Sequence, residues 1–182
     1  MGAPSDIVMM DALVLSRAIH ARQVSCVEVM TAYLDHIDAI NPKVNAIVSL
    51  QDRDGLLQRA KERDEQLARG EGRGWMHGFP QAIKDLTATK GIRTTQGSRI
   101  FKDFVPTADA IIVERVKRAG SIIIGKTNTP EFGLGSNTYN DVFGRTLNAY
   151  DQTKTSGGST GGGAVAAALR MSEEAVRAEI GI

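Results

Sequence analysis

Apolar residues at Leu13, Ala18 and Ile19 recur at helical spacing and predict a short first helix. Ser25 with Glu28 three residues later forms a capping-box signature, and Val27, Val29, Ala32, Leu34 and Ile37 carry a second helix behind it. Asn41-Pro42 is expected to stop that helix, because proline lacks the N–H the next turn needs. Val44 to Leu50 then reads as a strand, and Leu56, Leu57, Ala60 and Leu67 mark an amphipathic helix that ends near Gly70, its charged face solvated. After a turn at Gly70 to Gly74, the run Gln81 to Leu86 predicts a short buried strand. A Thr- and Gly-rich segment leads to a helical stripe at Ile112, Val116 and Ala119, and Ser121 to Ile124 is a compact β-branched strand. Strand, crossover, helix and strand make a βαβ unit. A right-handed crossover sets Lys84 and Lys126 toward the same end of adjacent or near-adjacent parallel strands, the end where open α/β sheets bind ligands. The last third runs through glycine-containing loops to Gly157-Gly158-Ser159-Thr160-Gly161-Gly162-Gly163 and an Ala-rich helix from Ala164. No internal repeat is present, and the glycine loop is short enough to be a site and not a linker.

The chain has 182 residues, enough for one globular domain that buries roughly 70% of its unfolded surface. Lys and Arg number 22 against 21 Asp and Glu. With no basic field, direct binding to nucleic acid is not expected, and a small neutral partner fits better. No apolar run approaches the roughly 20 residues a membrane helix needs, and Asp6 stands where a leader would carry positive charge. Cys26, the one cysteine, falls inside a helical pattern and is expected to be a buried, inert thiol, which fits a cytoplasmic location. His20, His36 and His77 lack metal-ligand spacing, so neither a metal nor a cofactor is expected.

Gly120 to Thr127 matches the Walker A pattern of glycine, four residues, then Gly-Lys-Thr. A phosphate cradle needs a strand before a flexible loop and a helix after it, because backbone N–H groups and a helix N-terminus do the binding. Here a helix comes first, three isoleucines fill the supposed loop and Pro130 follows shortly after. A buried strand ending in Gly-Lys is the better account.

A glycine-rich turn entering a helix offers free N–H groups, with Ser159 and Thr160 adding hydroxyls, but a simple Ser/Thr helix cap would look the same locally. Order and company decide between them. Gly78 to Leu86, Gly91 to Ser98, Gly125-Lys126-Thr127-Asn128-Thr129-Pro130-Glu131-Phe132-Gly133, Phe143-Gly144-Arg145-Thr146 and the Gly-Gly-Ser-Thr-Gly-Gly loop follow one another. Together they resemble the amidase signature family from about Asp11 to Met171, most of this chain and less than half of a typical member. The resemblance implies an α/β fold, a mixed sheet flanked by helices behind N-terminal helices, here as one incomplete domain over residues 1–182 with a divergent tail at 172–182. It also implies hydrolysis of a carbon–nitrogen bond in a small amide by a Ser-Ser-Lys triad. Lys84 matches the family's lysine, and Ser159 its bridging serine, which follows a cis peptide. Gly157, Gly158, Thr160, Gly161 and Gly162 form the supporting loop, with Thr160 replacing a frequent serine and Gly163 another. Gly133, Leu134 and Gly135 fall where relatives line the acyl pocket. Such chemistry suits these residues, since a lysine is a base only when neutral, which burial favours, and a hydroxyl can pass a proton between two neighbours.

The family's nucleophile lies in a second Gly-Gly-Ser segment, and this chain has only the first. Ser172, the one serine after Ser159, stands in a helix-favouring run without glycines and is expected to be solvated, so no nucleophile is assigned. The expectation is a truncated or frame-altered amidase that is inactive alone and associates, as a homo-oligomer or otherwise, through an unpaired sheet edge. Two alternatives are a fragment of the A-type component of a tRNA-dependent amidotransferase and a non-catalytic binding or scaffold relic of the fold.

Overall fold

The computed structural model describes residues 5–172. Helix α1 (Asp6–Met9), capped by Ser5, precedes α2 (Ala12–His20), capped by Asp11. Four residues are too few to carry a periodic signal, which is why α1 does not show in the pattern. In α2 the buried face is Leu15, Ser16, Ala18 and Ile19, and Leu13, expected on it, is 63% exposed.

Ser25 and Glu28 close both arms of the capping box at the start of α3 (Cys26–Val44). The helix does not stop at Asn41-Pro42 but continues through Val44, because a proline in the last turn forfeits a single N–H and the turn is closed elsewhere. Closure comes from Asn45, left-handed at φ 52°, whose N–H donates to the Asn41 carbonyl. The Asn41 Oδ1 then accepts the N–H groups of Ala46 and Ile47 and leads the chain into the sheet. The predicted strand shrinks to β1 (Ile47–Val48), with Val44 still helical on one side and Ser49, at φ 48°, ending the extended backbone on the other. Helix α4 (Arg53–Ala68) buries Leu56 and Ala60 as the pattern predicts.

Strands β2 (Pro80–Lys84) and β3 (Ile122–Thr127) pair in parallel, and β1 joins β3 antiparallel, giving a mixed sheet in the order β1-β3-β2. Side-chain alternation along β3 divides its burial between two faces. Ile122 and Ile124 join the large core with Val29, Met30 and Leu34 of α3, Leu56 of α4 and Val165 of α6 (Gly161–Ala168). Ile123 turns to the other face and meets Ile83, Ile92 and Val113 of α5 (Ile111–Arg118). Val113, not Ile112, is the buried residue of α5, with Ile112 51% exposed. A short hairpin, β4 (Tyr139–Asn140) and β5 (Gly144–Arg145), stands apart from this sheet.

From Ile122 to Thr127 the Walker-like segment is buried strand, and the three isoleucines of its supposed loop lie in it, so it forms no phosphate loop. Cys26 is a free, fully buried thiol, pushed up in pKa by burial and then by neighbouring Asp64. Among the described residues, no helix is long and apolar enough to cross a membrane.

Candidate active site

Lys84 is the last residue of β2 and pairs in register with Thr127 at the end of β3. Its Nζ leaves the sheet at that end and meets the loop that starts α6. Nζ donates to Ser159 Oγ at 3.0 Å and to Thr160 Oγ1 at 2.8 Å. Lys84, Ser159 and Thr160 are each half-buried.

Thr160 occupies the N-cap position of α6, where a threonine hydroxyl ordinarily accepts an N–H of the first turn. It makes no such bond. The first-turn donors go elsewhere, Gly161 N–H to Thr138 Oγ1 at 3.1 Å and Gly162 N–H to the Asn128 carbonyl at 3.2 Å. The threonine hydroxyl is thus left to the lysine. Two glycines are required by space here, since a Cβ at Gly162 would overlap the Asn128 backbone, and one at Gly158 would stand 2.6 Å from the Gly135 carbonyl.

The Gly158–Ser159 peptide bond is cis. Around it the loop is held by Thr138, which donates its hydroxyl to the Gly157 carbonyl at 2.8 Å, and by a bridge between Asn137 and Gly157. Gly133, Leu134 and Gly135 run beside this loop, with Gly135 in contact distance of Gly158 and the Leu134 side chain 80% exposed. A cavity of about 370 Å³ opens next to the loop, lined by Tyr150, Gly157, Gly158, Thr160, Gly161 and Ala164.

Ser172 is not solvated. It is 4% exposed, and its Oγ accepts the Ala82 N–H of β2 at 3.0 Å. The hydroxyl finishes an outer strand, which a local reading of helix propensity could not foresee. The rest of the divergent tail lies outside the described residues.

A second buried network supports the strand ends. Lys126 is fully buried and donates to the Thr87 carbonyl at 2.5 Å, Thr89 Oγ1 at 2.9 Å and Thr94 Oγ1 at 3.2 Å. Burial pushes its pKa down to about 8, with Asp85 opposing. Asp85, next to Lys84, is also fully buried and accepts from Thr95 N–H, Thr95 Oγ1 and Gly97 N–H. Burial raises the Asp85 carboxyl, and the Thr95 hydrogen bonds pull it back. Sequence reasoning placed Lys126 at the right end of the sheet but assigned no role to Asp85 or to the threonines. Their signal was present in the Thr-rich stretch Thr87 to Thr95, whose hydroxyls are what a buried cation and carboxylate need.

The sequence profile of the Amidase family matches residues 28–181. The chain belongs to the amidase signature family. It is 42% identical over 177 residues, 97% of its length, to the A subunit of glutamyl-tRNA(Gln) amidotransferase from Acidothermus cellulolyticus, of which it covers 35%. The corresponding protein of an Azoarcus species is 44% identical over 157 residues, 86% of this chain and 32% of the relative. Among solved structures, a bacterial aryl acylamidase of the amidase signature family superposes with a TM-score of 0.86 at 28% identity, over 92% of this chain and 35% of the other. The chain therefore spans about a third of the length of these relatives.

Proposed function

We propose that Lys84 and Ser159 are the base and the proton relay of a Ser-Ser-Lys triad that hydrolyses a carbon–nitrogen bond in a small amide. The observation that carries this is the 3.0 Å contact from Lys84 Nζ to Ser159 Oγ at the C-terminal end of a parallel strand pair. A neutral Lys84 takes the proton that Ser159 receives from a nucleophilic hydroxyl, and the same path returns it to the leaving amine. Thr160, 2.8 Å from the same Nζ, fixes the lysine head so that one rotamer serves both steps. Gly133 to Gly135 form one wall of the acyl pocket.

The nucleophile is not assigned among the described residues, because Ser172 Oγ is committed to the Ala82 N–H and the sequence holds one Gly-Gly-Ser segment. The 182-residue chain alone is expected not to turn over amides. Residues 5–172 are read as part of one amidase domain, in a cytoplasmic protein.

A second reading is favoured by the 42% identity over 97% of the chain to the A component of an amidotransferase. In it the same two residues release ammonia from an amide side chain, as one part of an assembly that acts on glutamyl-tRNA(Gln).

The deciding experiment mixes the chain with a fragment of a relative that supplies the remaining two-thirds, and follows ammonia release from glutamine and from simple amides. Hydrolysis is expected to appear only in the mixture and to fall at least about a hundredfold with Lys84→Ala. Turnover by the chain alone would overturn its predicted inactivity, and full activity of the reconstituted Lys84→Ala would make the fold a scaffold. Release from glutamine but not from simple amides would favour the amidotransferase.

A further inference from the structure

The opposite end of the sheet carries a second concave site. A cavity of about 370 Å³ lies against the start of β3, lined by Arg59, Arg63, Arg73, Lys90, Lys117 and Ser121. Because Pro80 pairs with Ile122 and Lys84 with Thr127, this cavity and the lysine–serine contact stand at opposite ends of the same strand pair.

The cations divide into two sets. Lys117 is held by Asp109 at 2.7 Å, and Arg118, also at the rim, by Glu114 at 3.3 Å. Arg59, Arg63, Arg73 and Lys90 have no carboxylate within ion-pair distance among the described residues. Arg63 is fixed in place by Nε on the Gly120 carbonyl at 3.2 Å and Nη1 on Gln66 Oε1 at 3.0 Å, which leaves its Nη2 uncommitted. Burial, then the neighbouring Arg73 guanidinium, lowers the Arg63 pKa, a sign of crowded positive charge. It remains a cation, since arginine starts so high. Ser121 adds an independent observation. It is 2% exposed and lines the cavity, and its Oγ has no hydrogen-bond partner, an expensive condition for a buried hydroxyl.

We propose that this cavity binds a small phosphate-type anion, with pyrophosphate a better fit than a single phosphate. Crowded, unpaired cations and one orphaned hydroxyl are each satisfied by a multiply charged tetrahedral group that accepts from several directions, which a flat carboxylate does less well. Guanidinium forks from two sides match paired phosphate oxygens, and Lys90 adds a mobile point charge. The chain's net charge of +1 spreads no basic field beyond the cavity, which points to a compact anion and not to a polymer.

Pyrophosphate and inorganic phosphate titrated into the 182-residue chain at constant ionic strength, read by calorimetry and by phosphorus NMR, test this. Saturable one-to-one binding is expected, tighter for pyrophosphate, with chloride unable to compete at matched strength. Arg73→Gln and Lys90→Gln change exposed side chains that hold no bond in the fold, and each is expected to weaken binding about tenfold. Ser121→Ala is expected to weaken it several-fold, with circular dichroism unchanged. Absence of saturation, equal displacement by chloride, or affinity indifferent to Arg73→Gln and Lys90→Gln would overturn the site. A short RNA oligonucleotide forms the second arm, and RNA binding that pyrophosphate does not compete for would overturn the small-anion assignment.

Discussion

Lys84 and Lys126 show how one residue type is put to two uses within a single sheet. Both sit at strand ends, but Lys84 is half-buried against two hydroxyls on a glycine loop, whereas Lys126 is sealed among Thr87, Thr89 and Thr94. The sealed lysine has a consequence for stability. Its folded pKa of about 8 lies below the ordinary value of 10.5, so between those values the unfolded chain holds the proton that the folded chain has lost. Stability therefore rises with pH in that window. The Cys26 thiol works against it from about pH 9, its ordinary value, because the unfolded chain ionises there while the buried thiol does not. The clean interval is pH 8 to 9, where the Lys126 contribution amounts to roughly 1 kcal/mol. Chemical denaturation at several pH values in that interval is expected to show the rise in the wild type and not in Lys126→Met. An equal slope in both would remove Lys126 as its source.

At the level of elements, the capping box of α3 is both legible in sequence and present in the fold. Glu28 accepts the Ser25 N–H and hydroxyl, and these bonds hold its carboxyl below the usual range. That contribution is present above the ordinary glutamate value and is lost as pH falls through the folded one. Ser25→Ala is expected to cost about 1 kcal/mol in urea unfolding, and no change would mean that α3 is held by packing alone. Other element boundaries were read less well, for physical reasons that differ by site. Pro42 misled because a last-turn proline is cheap, and β1 was overdrawn because Ser49 turns left-handed where only its neighbours' β propensity could be seen. The phase of α5 slipped by one residue, since Ile111, Ile112 and Val113 are equally apolar and packing alone chooses Val113. The candidate site was more legible, in that Lys84 and the loop at Ser159 meet in the fold. The loop at Ser159 is marked by glycines that the geometry demands, Gly162 against Asn128 and Gly158 against Gly135. What the sequence could not convey was the diversion of Thr160 from its capping bond, or the return of Ser172 to β2, because both depend on contacts distant in the chain.

Over the described residues as a whole, surface is managed unevenly on the two sides of the candidate site. On β2 the outward positions are managed, with no N–H at Pro80 and the Ala82 N–H bound by Ser172 Oγ. Next to the Gly-Ser loop, Tyr150 is 87% exposed beside a cavity whose walls include Ala164, Val165 and Ala168, and Leu134 stands 80% exposed across the loop. An apolar patch of this kind, adjoining a site, marks a surface that stays in water only at a cost. The chain spans about a third of its relatives' length, and nothing among the described residues covers this face. In isolation the remaining way to cover it is self-association. Sedimentation over about a hundredfold range of concentration is expected to show mass rising with concentration, as linkage requires of any assembly. Tyr150→Lys puts a charge at the centre of the patch without touching the core and is expected to shift the rise to higher concentration. A monomer throughout that range, or association unchanged by Tyr150→Lys, would mean that the patch is not the surface that drives assembly.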